Sequence, residues 1–405
     1  MNRTERAPRR LGGSAVVLKP GREKPMRQRH PWIFSGAIAG IGEAVEDGGI
    51  ADITSANGDF LARAMVSLRS QITARILTFD SGEKIDGAFW ERKLAHAFAA
   101  RRTGTSARCV NAESDGLPGL IVDRYSDFLV LQASTAGIER HKADIVRALA
   151  RVAAPRGIYE RSDVDGREKE GLPPATGLLF GEEPPEYIEI EEESNLGRRV
   201  TLLVDVRNGQ KTGTYLDQSE NRRIVSRYAE GRDVANVFSY TGGFSLHAAL
   251  SGARRIVNID ASARALALSE ENAARNGLSG RFEHVRADAF EELRRLREAG
   301  ETFDLVIVDP PKLSRSAGHV DRAARAYKDL SRVAMQITRP GGLLATFSCS
   351  GAIGTDLFQK IVWSASLEAG KDAQILARLT QSSDHPVLLT FPEGEYLKGL
   401  LCRIG

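Results

Sequence analysis

From about residue 198 onward, short apolar runs alternate with longer amphipathic stretches, and this alternation constrains the fold more than any other feature of the chain. Val234-Ala235-Asn236-Val237-Phe238 precedes a helical stretch from Phe244 to Ala253. Arg255-Ile256-Val257-Asn258-Ile259-Asp260 precedes one from Ser262 to Asn276, which Gly277 closes as a C-cap. Phe303-Asp304-Leu305-Val306-Ile307-Val308-Asp309 precedes a helix over about 321–338, stopped by Pro340-Gly341-Gly342. A last run, Leu343-Leu344-Ala345-Thr346-Phe347, leads into Ser348-Cys349-Ser350. Continuous apolar runs of this length read as strands covered by helices on both faces. The expected fold class is therefore α/β, a Rossmann-like doubly wound parallel sheet whose ligands sit at the carboxyl ends of its strands.

The first part of the chain has a different pattern. Ala15-Val16-Val17-Leu18, Gly49–Ile53, Phe60–Val66 and Ile72–Leu77 are short strand-like runs, and Asn57-Gly58 is a good hairpin turn between two of them. A small β-barrel-like module over residues 1–85 is expected. A mixed α+β region over 86–195 follows, with a helix at about 87–103, a hairpin joining 120–123 to 128–131, and a helix over about 137–153. Residues 162–186, rich in Gly, Pro and charge, are the best linker candidate, and the alternating region occupies 196–405. A chain of 405 residues is long enough for such a division.

Composition narrows the function classes. Hydrophobic residues make up 42% and charged residues 27%, as in an ordinary globular protein. The start lacks a signal-peptide core, and no apolar run reaches the length of a membrane span. Three scattered cysteines, Cys109, Cys349 and Cys402, show no metal-ligand spacing and no disulfide framework. A cytoplasmic protein with no metal and no membrane attachment is expected. A net charge of +3 says little about partners, but residues 1–30 carry nine Lys and Arg against Glu5 and Glu23, among them Arg3, Arg6, Lys19, Arg22, Lys24, Arg27 and Arg29. Such an arm can contact phosphates, or it can be no more than a solvated terminus. The acidic run from Glu182 through Glu191-Glu192-Glu193 would repel them and reads as an outward linker or hairpin.

The strand ends carry the candidate site. Tyr240-Thr241-Gly242-Gly243-Phe244 is a Gly-rich turn opening a helix, but it is neither GxGxxG nor a phosphate loop with a Walker lysine. Asp260 ends the second strand about twenty residues on, where a carboxylate can accept both hydroxyls of a ribose, a spacing that also suits a dinucleotide. Asp288 is placed to meet an adenine amino group, although an aspartate there is also a common N-cap. A Gly turn, then Asp260, Asp288 and Asp309-Pro310-Pro311, is the order expected for S-adenosylmethionine. Cys349 brings a soft nucleophile to the edge that carries Asp309. Taken alone, it reads more readily as a small buried hydrophobe.

Longer segments carry a resemblance. His30-Pro31-Trp32-Ile33-Phe34-Ser35-Gly36, Glu113–Asp123, Gly209-Gln210-Lys211-Thr212-Gly213 and Tyr215–Arg223 belong to it, as do the Asp309-Pro310-Pro311-Lys312 and Ser348-Cys349-Ser350 boxes. Asp384-His385-Pro386 and Pro392–Gly399 complete it. The chain resembles a class I methyltransferase, and more closely the RlmI family of 23S ribosomal RNA cytosine-C5 methyltransferases, over nearly its whole length. The resemblance implies a PUA domain in the β module. It also implies S-adenosylmethionine held by Gln218, Asn221, Phe238, Tyr240 and Asp260. Asn236 stands where the family commonly has an acidic residue, and its amide can bond the methionine end without charge.

Methylation of cytosine C5 asks for a thiolate that adds to C6, a partner at N3 and a base for the C5 proton. Cys349 is assigned to the first role and Asp309 to the second; the base stays open. The target base must also leave its stack. Trp32 and Phe34 beside Arg27, Arg29 and His30 could assist, although core of the β module is the stronger reading for the two rings. The expected activity is methylation of 23S ribosomal RNA, free or in the large subunit, and a homodimer is compatible with the chain. Three rivals remain: a guanine-nitrogen methyltransferase of the same architecture, a non-catalytic RNA-binding assembly factor, and a dinucleotide oxidoreductase. The last leaves Asp309-Pro310-Pro311 and Cys349 unexplained.

Overall fold

Phe60–Val66 pairs antiparallel with both Ile50–Thr54 and Ile72–Thr78, and Gly58 at φ +91° makes the first of these turns possible. In the computed structural model, which describes residues 9–101, 104–313 and 320–405, these strands belong to a seven-stranded sheet. Its order is Arg9–Leu11, Ile38–Gly42, Ala15–Leu18, Ile50–Thr54, Phe60–Val66, Ile72–Thr78, Trp32–Phe34. Val16, Leu18, Ile53, Ala62 and Val66 are fully buried in its core. Trp32 donates its indole N–H to Glu113 at 2.8 Å and packs edge-on against Phe391. Phe34 is 49% exposed, so it does not join the core expected for it. Arg3 and Arg6 of the basic arm lie outside the described residues.

A second sheet has the order Ala175–Gly181, Gly157–Ser162, Phe128–Ala133, Leu120–Tyr125, Ser106–Asn111. The expected hairpin is present, with Phe128 opposite Tyr125. Helices Gly87–Ala99 and Ala136–Ala153, capped by Asp86 and Thr135, bury Trp90, Leu94, Ile145 and Leu149 in the same core. The linker expected over 162–186 is instead folded. Ala175–Gly181 pairs antiparallel with Gly157–Ser162, and Arg167 and Glu170 are buried. Charges that read as solvated have found partners: Glu170 meets Arg75 at 2.8 Å, and Arg167 meets Glu139 at 2.8 Å. Both sheets fall in one unit, which comprises residues 1–188, 204–214 and 384–394.

Residues 189–203, 215–383 and 395–405 form the other unit. Its seven strands are β1 (Asp233–Val237), β2 (Arg255–Asp260), β3 (Phe282–Arg286), β4 (Phe303–Val308), β5 (Thr338–Ser348), β6 (Ala373–Thr380) and β7 (Lys398–Ile404). Their order is β3-β2-β1-β4-β5-β7-β6. The first five pair in parallel, as the alternation requires. β7 runs antiparallel to both β5 and β6, so the parallel sheet expected for the whole region gives way to a reversed strand near one edge. The helices are α1 (Ser219–Ser226), α2 (Gly243–Leu250), α3 (Ala263–Arg275), α4 (Ala289–Glu298), α5 (Val320–Gln336) and α6 (Thr355–Ala369). Tyr327, Leu330, Phe358 and Val362 of α5 and α6 share one core with Val306, Val308 and Leu344 of the sheet. The acidic run enters this unit through a two-stranded ribbon, Ile188–Glu193 with Arg199–Val204. Glu192 is not solvated: it is buried against Arg222 and His247.

Candidate active site

Strand register gathers the candidate residues on one edge. Val237 is the register partner of both Ile259 and Val308, and Val308 is the partner of Thr346. The chain therefore leaves β1, β2, β4 and β5 at one level, which brings Phe238, Asp260, Asp309 and Cys349 to the same carboxyl edge.

The turn after β1 is held by β2. Phe238 and Tyr240 adopt φ of +62° and +49°, a backbone region that is unfavourable for bulky side chains. Asp260 compensates, because one carboxylate oxygen accepts the Tyr240 N–H and the other the Ser262 N–H, each at 2.8 Å. Gly242 has φ +79°, and a Cβ built there would lie 2.2 Å from Ser269 Oγ of α3. Only glycine fits this turn. Thr241 is buried and accepts a bond from Asn272 through its carbonyl. Asn236 lies beneath the turn, 1% exposed. Its amide donates to Ser245 Oγ at 2.9 Å, and Ser245 donates to Asn258, which donates to Ser269. These bonds tie β1, α2, β2 and α3 together in the core.

Asp309 is reached from the turn that opens α1. Gln218 donates its Nε2 to Asp309 Oδ2 at 2.9 Å, and Asn221 donates its Nδ2 to Gln218 Oε1 at 2.6 Å and to the Thr380 carbonyl at 2.9 Å. Gln218 and Asn221 are both buried, so these amides orient the carboxylate rather than meet solvent. Asp288 stands apart. It is exposed, and its described bonds cap its own helix, from the Phe290 and Glu291 N–H groups. Phe290 does reach the edge, with its ring 6.4 Å from that of Phe238.

Cys349 is half-exposed, whereas Cys109 and Cys402 are buried. Burial pushes the Cys109 thiol up to about 12 and that of Cys402 up to about 11, so neither supplies a thiolate near neutrality. Tyr215 faces Cys349, Asp309 and Tyr240; burial first, and then the negative charge of Asp309, raises its phenol well above the ordinary range. It is therefore a hydrogen-bond donor and a poor base. Tyr327 shares a hydroxyl bond with Ser350 at 3.0 Å. Lys398 donates to the Ser350 carbonyl at 2.7 Å. Neither Tyr215 nor Lys398 was singled out by motif spacing, although a lysine inside Leu397-Lys398-Gly399-Leu400-Leu401 is a signal in its own right. No group of His, Cys, Asp or Glu among the described residues could hold a metal ion.

Comparison with known proteins decides the family. The chain is 47% identical to the ribosomal RNA large subunit methyltransferase I of Shewanella amazonensis over 398 residues, covering 96% of this chain and 99% of that one. The chain belongs to this methyltransferase family. The Aeromonas hydrophila member is likewise 47% identical, with the same coverage of each chain. Residues 173–389 match the S-adenosylmethionine-dependent methyltransferase family, and residues 16–79 match the PUA-like domain. Among solved structures, a Streptococcus mutans chain assigned as a SAM-dependent methyltransferase superposes with a TM-score of 0.81 at 23% identity, covering 96% of this chain and all of that one. A second, solved in complex with SAH, gives 0.83 at 23% identity with the same coverage. These two share the fold. The chain is thus an S-adenosylmethionine-dependent methyltransferase with a PUA-like domain near its amino terminus. The strand-end edge suits such a cofactor: Gly242 keeps the turn after β1 packed closely on Ser269 of α3, and the Asp260 carboxylate stands beside that turn.

Proposed function

We propose that this protein methylates C5 of a cytosine in large-subunit ribosomal RNA, 23S RNA either free or in the subunit, through a thiolate adduct of Cys349. The observation that carries the reading is a half-exposed cysteine at the strand-end edge that also holds Asp309, in a chain whose other two cysteines are buried. The names of the family members support ribosomal RNA as substrate. A groove of about 350 Å³ beside the first sheet supports RNA binding. Its lining includes Arg29, Phe79 and Lys93 together with the carboxylates Asp80 and Glu113, and the Arg29 guanidinium lies 5.2 Å from the Phe79 ring centre.

In this reading Phe238, Tyr240, Thr241, Gly242 and Asp260 hold S-adenosylmethionine, with Gln218, Asn221 and Asp288 at the margins and Asn236 supporting the turn from below. The cofactor supplies an electrophilic methyl group. Cytosine C5 is too weak a nucleophile to accept it unaided. The Cys349 thiolate adds to C6, the electron pair moves to C5, and Asp309, oriented by Gln218, carries the proton that N3 takes up during the addition and takes it back on elimination. Once C5 carries the methyl group, its proton leaves to a base, and the electron pair of that C–H bond expels the Cys349 sulfur. A cytoplasmic location and a homodimer belong to the same proposal. The homodimer is supported by the exposed Trp363 and Leu367, one turn apart on α6, and sedimentation measures it.

Trapping tests the chemistry. RNA with 5-fluorocytosine at the target position should be methylated once and stay attached, because no C5 proton can leave. The complex should survive denaturing electrophoresis, require S-adenosylmethionine, persist in Cys109→Ser and Cys402→Ser, and vanish in Cys349→Ser. An adduct in Cys349→Ser would move the nucleophile elsewhere. Turnover of a confirmed substrate without an adduct in any variant would favour nitrogen methylation, which needs no thiol.

A further inference from the structure

Lys398 opens β7, is 5% exposed and is flanked in sequence by Leu397, Gly399, Leu400 and Leu401. An ammonium in such surroundings needs both hydrogen-bond acceptors and a counter-charge. The acceptors are present: Nζ donates to the carbonyls of Ser350 and Ile353, the two ends of the turn that follows Cys349. That turn is closed by the Ile353 N–H donating to the Ser350 carbonyl at 3.0 Å. The antiparallel register sets Lys398 opposite Ser348, one residue before Cys349. Carbonyl dipoles provide no counter-charge. Burial lowers the proton affinity of Lys398; among its charged neighbours Cys349 does most to hold the proton on, ahead of Glu395, and Lys312 opposes them.

We propose that Lys398 is a positioning residue for the nucleophile: it clamps the Ser350–Ile353 turn that presents Cys349 and serves as counter-ion to the Cys349 thiolate. The role rests on the reading of Cys349 as nucleophile. The other groups near the sulfur do not replace it. Tyr215 and Tyr327 are phenols that burial keeps protonated, and Asp309, at the same strand-end edge, is an acid. Lys312 and Glu395 are exposed and screened by solvent, whereas Lys398 acts through buried groups.

The test reads the thiol directly, without RNA. The rate of Cys349 alkylation by iodoacetamide is followed against pH in the full chain by peptide mass spectrometry, which separates Cys349 from Cys109 and Cys402. The unmodified protein should show a midpoint below that of free cysteine, about 8.5. Lys398→Met should raise the midpoint by about one pH unit, a roughly tenfold slower reaction at pH 7, and Lys398→Arg should restore most of the shift. A merely structural lysine would change melting temperature and leave the midpoint where it was. An equal midpoint in folded Lys398→Met overturns the proposal. Should that variant not fold, a midpoint at or above 8.5 in the unmodified protein overturns it as well. A midpoint shift without a fluorocytosine adduct removes Cys349 from catalysis and leaves the ion pair intact; an adduct without a shift does the reverse.

Discussion

Replacing Arg222 with Met should destabilise the methyltransferase unit by about 3–5 kcal/mol, the range for stranding one member of a buried ion pair. Arg222 and Glu192 have side chains only 5% and 6% exposed. The guanidinium donates to both carboxylate oxygens, through Nε at 2.9 Å and through Nη2, and His247 Nε2 lies 3.0 Å from the same carboxylate. Burial alone would raise the Glu192 carboxyl, but the Arg222 charge and the bonds from His247 and Arg222 outweigh it and hold the group at about 2 against an ordinary 4.5. At about 1.4 kcal/mol per unit, that difference is on the order of 3 kcal/mol, which agrees with the mutational range. Met nearly matches the aliphatic length of Arg, so the cavity contribution is small. The consequence reaches the site, because Arg222 Nη1 also donates to the Tyr215 carbonyl at 3.1 Å. Urea unfolding at pH 7 gives the loss from the midpoint and slope. The double variant Arg222→Met/Glu192→Leu removes the stranded carboxylate and should be more stable than Arg222→Met alone. A loss under about 1 kcal/mol in the single variant, or a double variant less stable than the single, would refute the reasoning.

Asp260→Ala removes two hydrogen bonds to a carboxylate and frees the strained Tyr240 turn, so S-adenosylmethionine affinity should fall by about 1.5–3 kcal/mol; unchanged affinity by calorimetry in a folded variant would take Asp260 out of the site. The same buried network sets the acid response. His247 is held below its ordinary value by burial, so the unfolded chain binds a proton near pH 6.5 that the folded protein resists. The stability linked to His247 is complete above about pH 6.5 and declines as pH falls below it. Glu192 acts later: its contribution is present above about 4.5 and is lost as pH falls toward about 2. His247→Gln should therefore flatten the loss of urea resistance between pH 7 and 5 and reduce, without abolishing, the loss below 4.5, because Arg222 still holds the Glu192 carboxylate; parallel curves for the two proteins would refute the assignment.

Local pattern determined much of this protein. Apolar runs of strand length separated by amphipathic stretches dictate a parallel sheet, because a strand buried on both faces must be apolar throughout and its crossover must be a helix. Asp260, Asp309 and Cys349 follow directly, since a residue that ends such a strand is carried to the carboxyl edge whatever its neighbours do. Gly242 was legible as part of a Gly-rich turn between an apolar strand and a helix, whereas the left-handed backbone of Phe238 and Tyr240 beside it was not. The tertiary structure decided where charge meets charge. Glu192 in an acidic run, Arg167 and Glu170 in a segment that read as a linker, and Lys398 in an apolar strand all look alike in sequence to solvated or misplaced ions. Their partners lie tens of residues or more away: Arg222 for Glu192, Arg75 for Glu170, the Ser350–Ile353 turn for Lys398. The reversed β7 belongs with them. Strand direction depends on which neighbour closes the sheet, and β7 lies between β5 and β6, placing Lys398 beside the residue that precedes Cys349. Periodicity reports what a segment buries, while the partner of a buried charge is set by chain folding over distances that periodicity does not span.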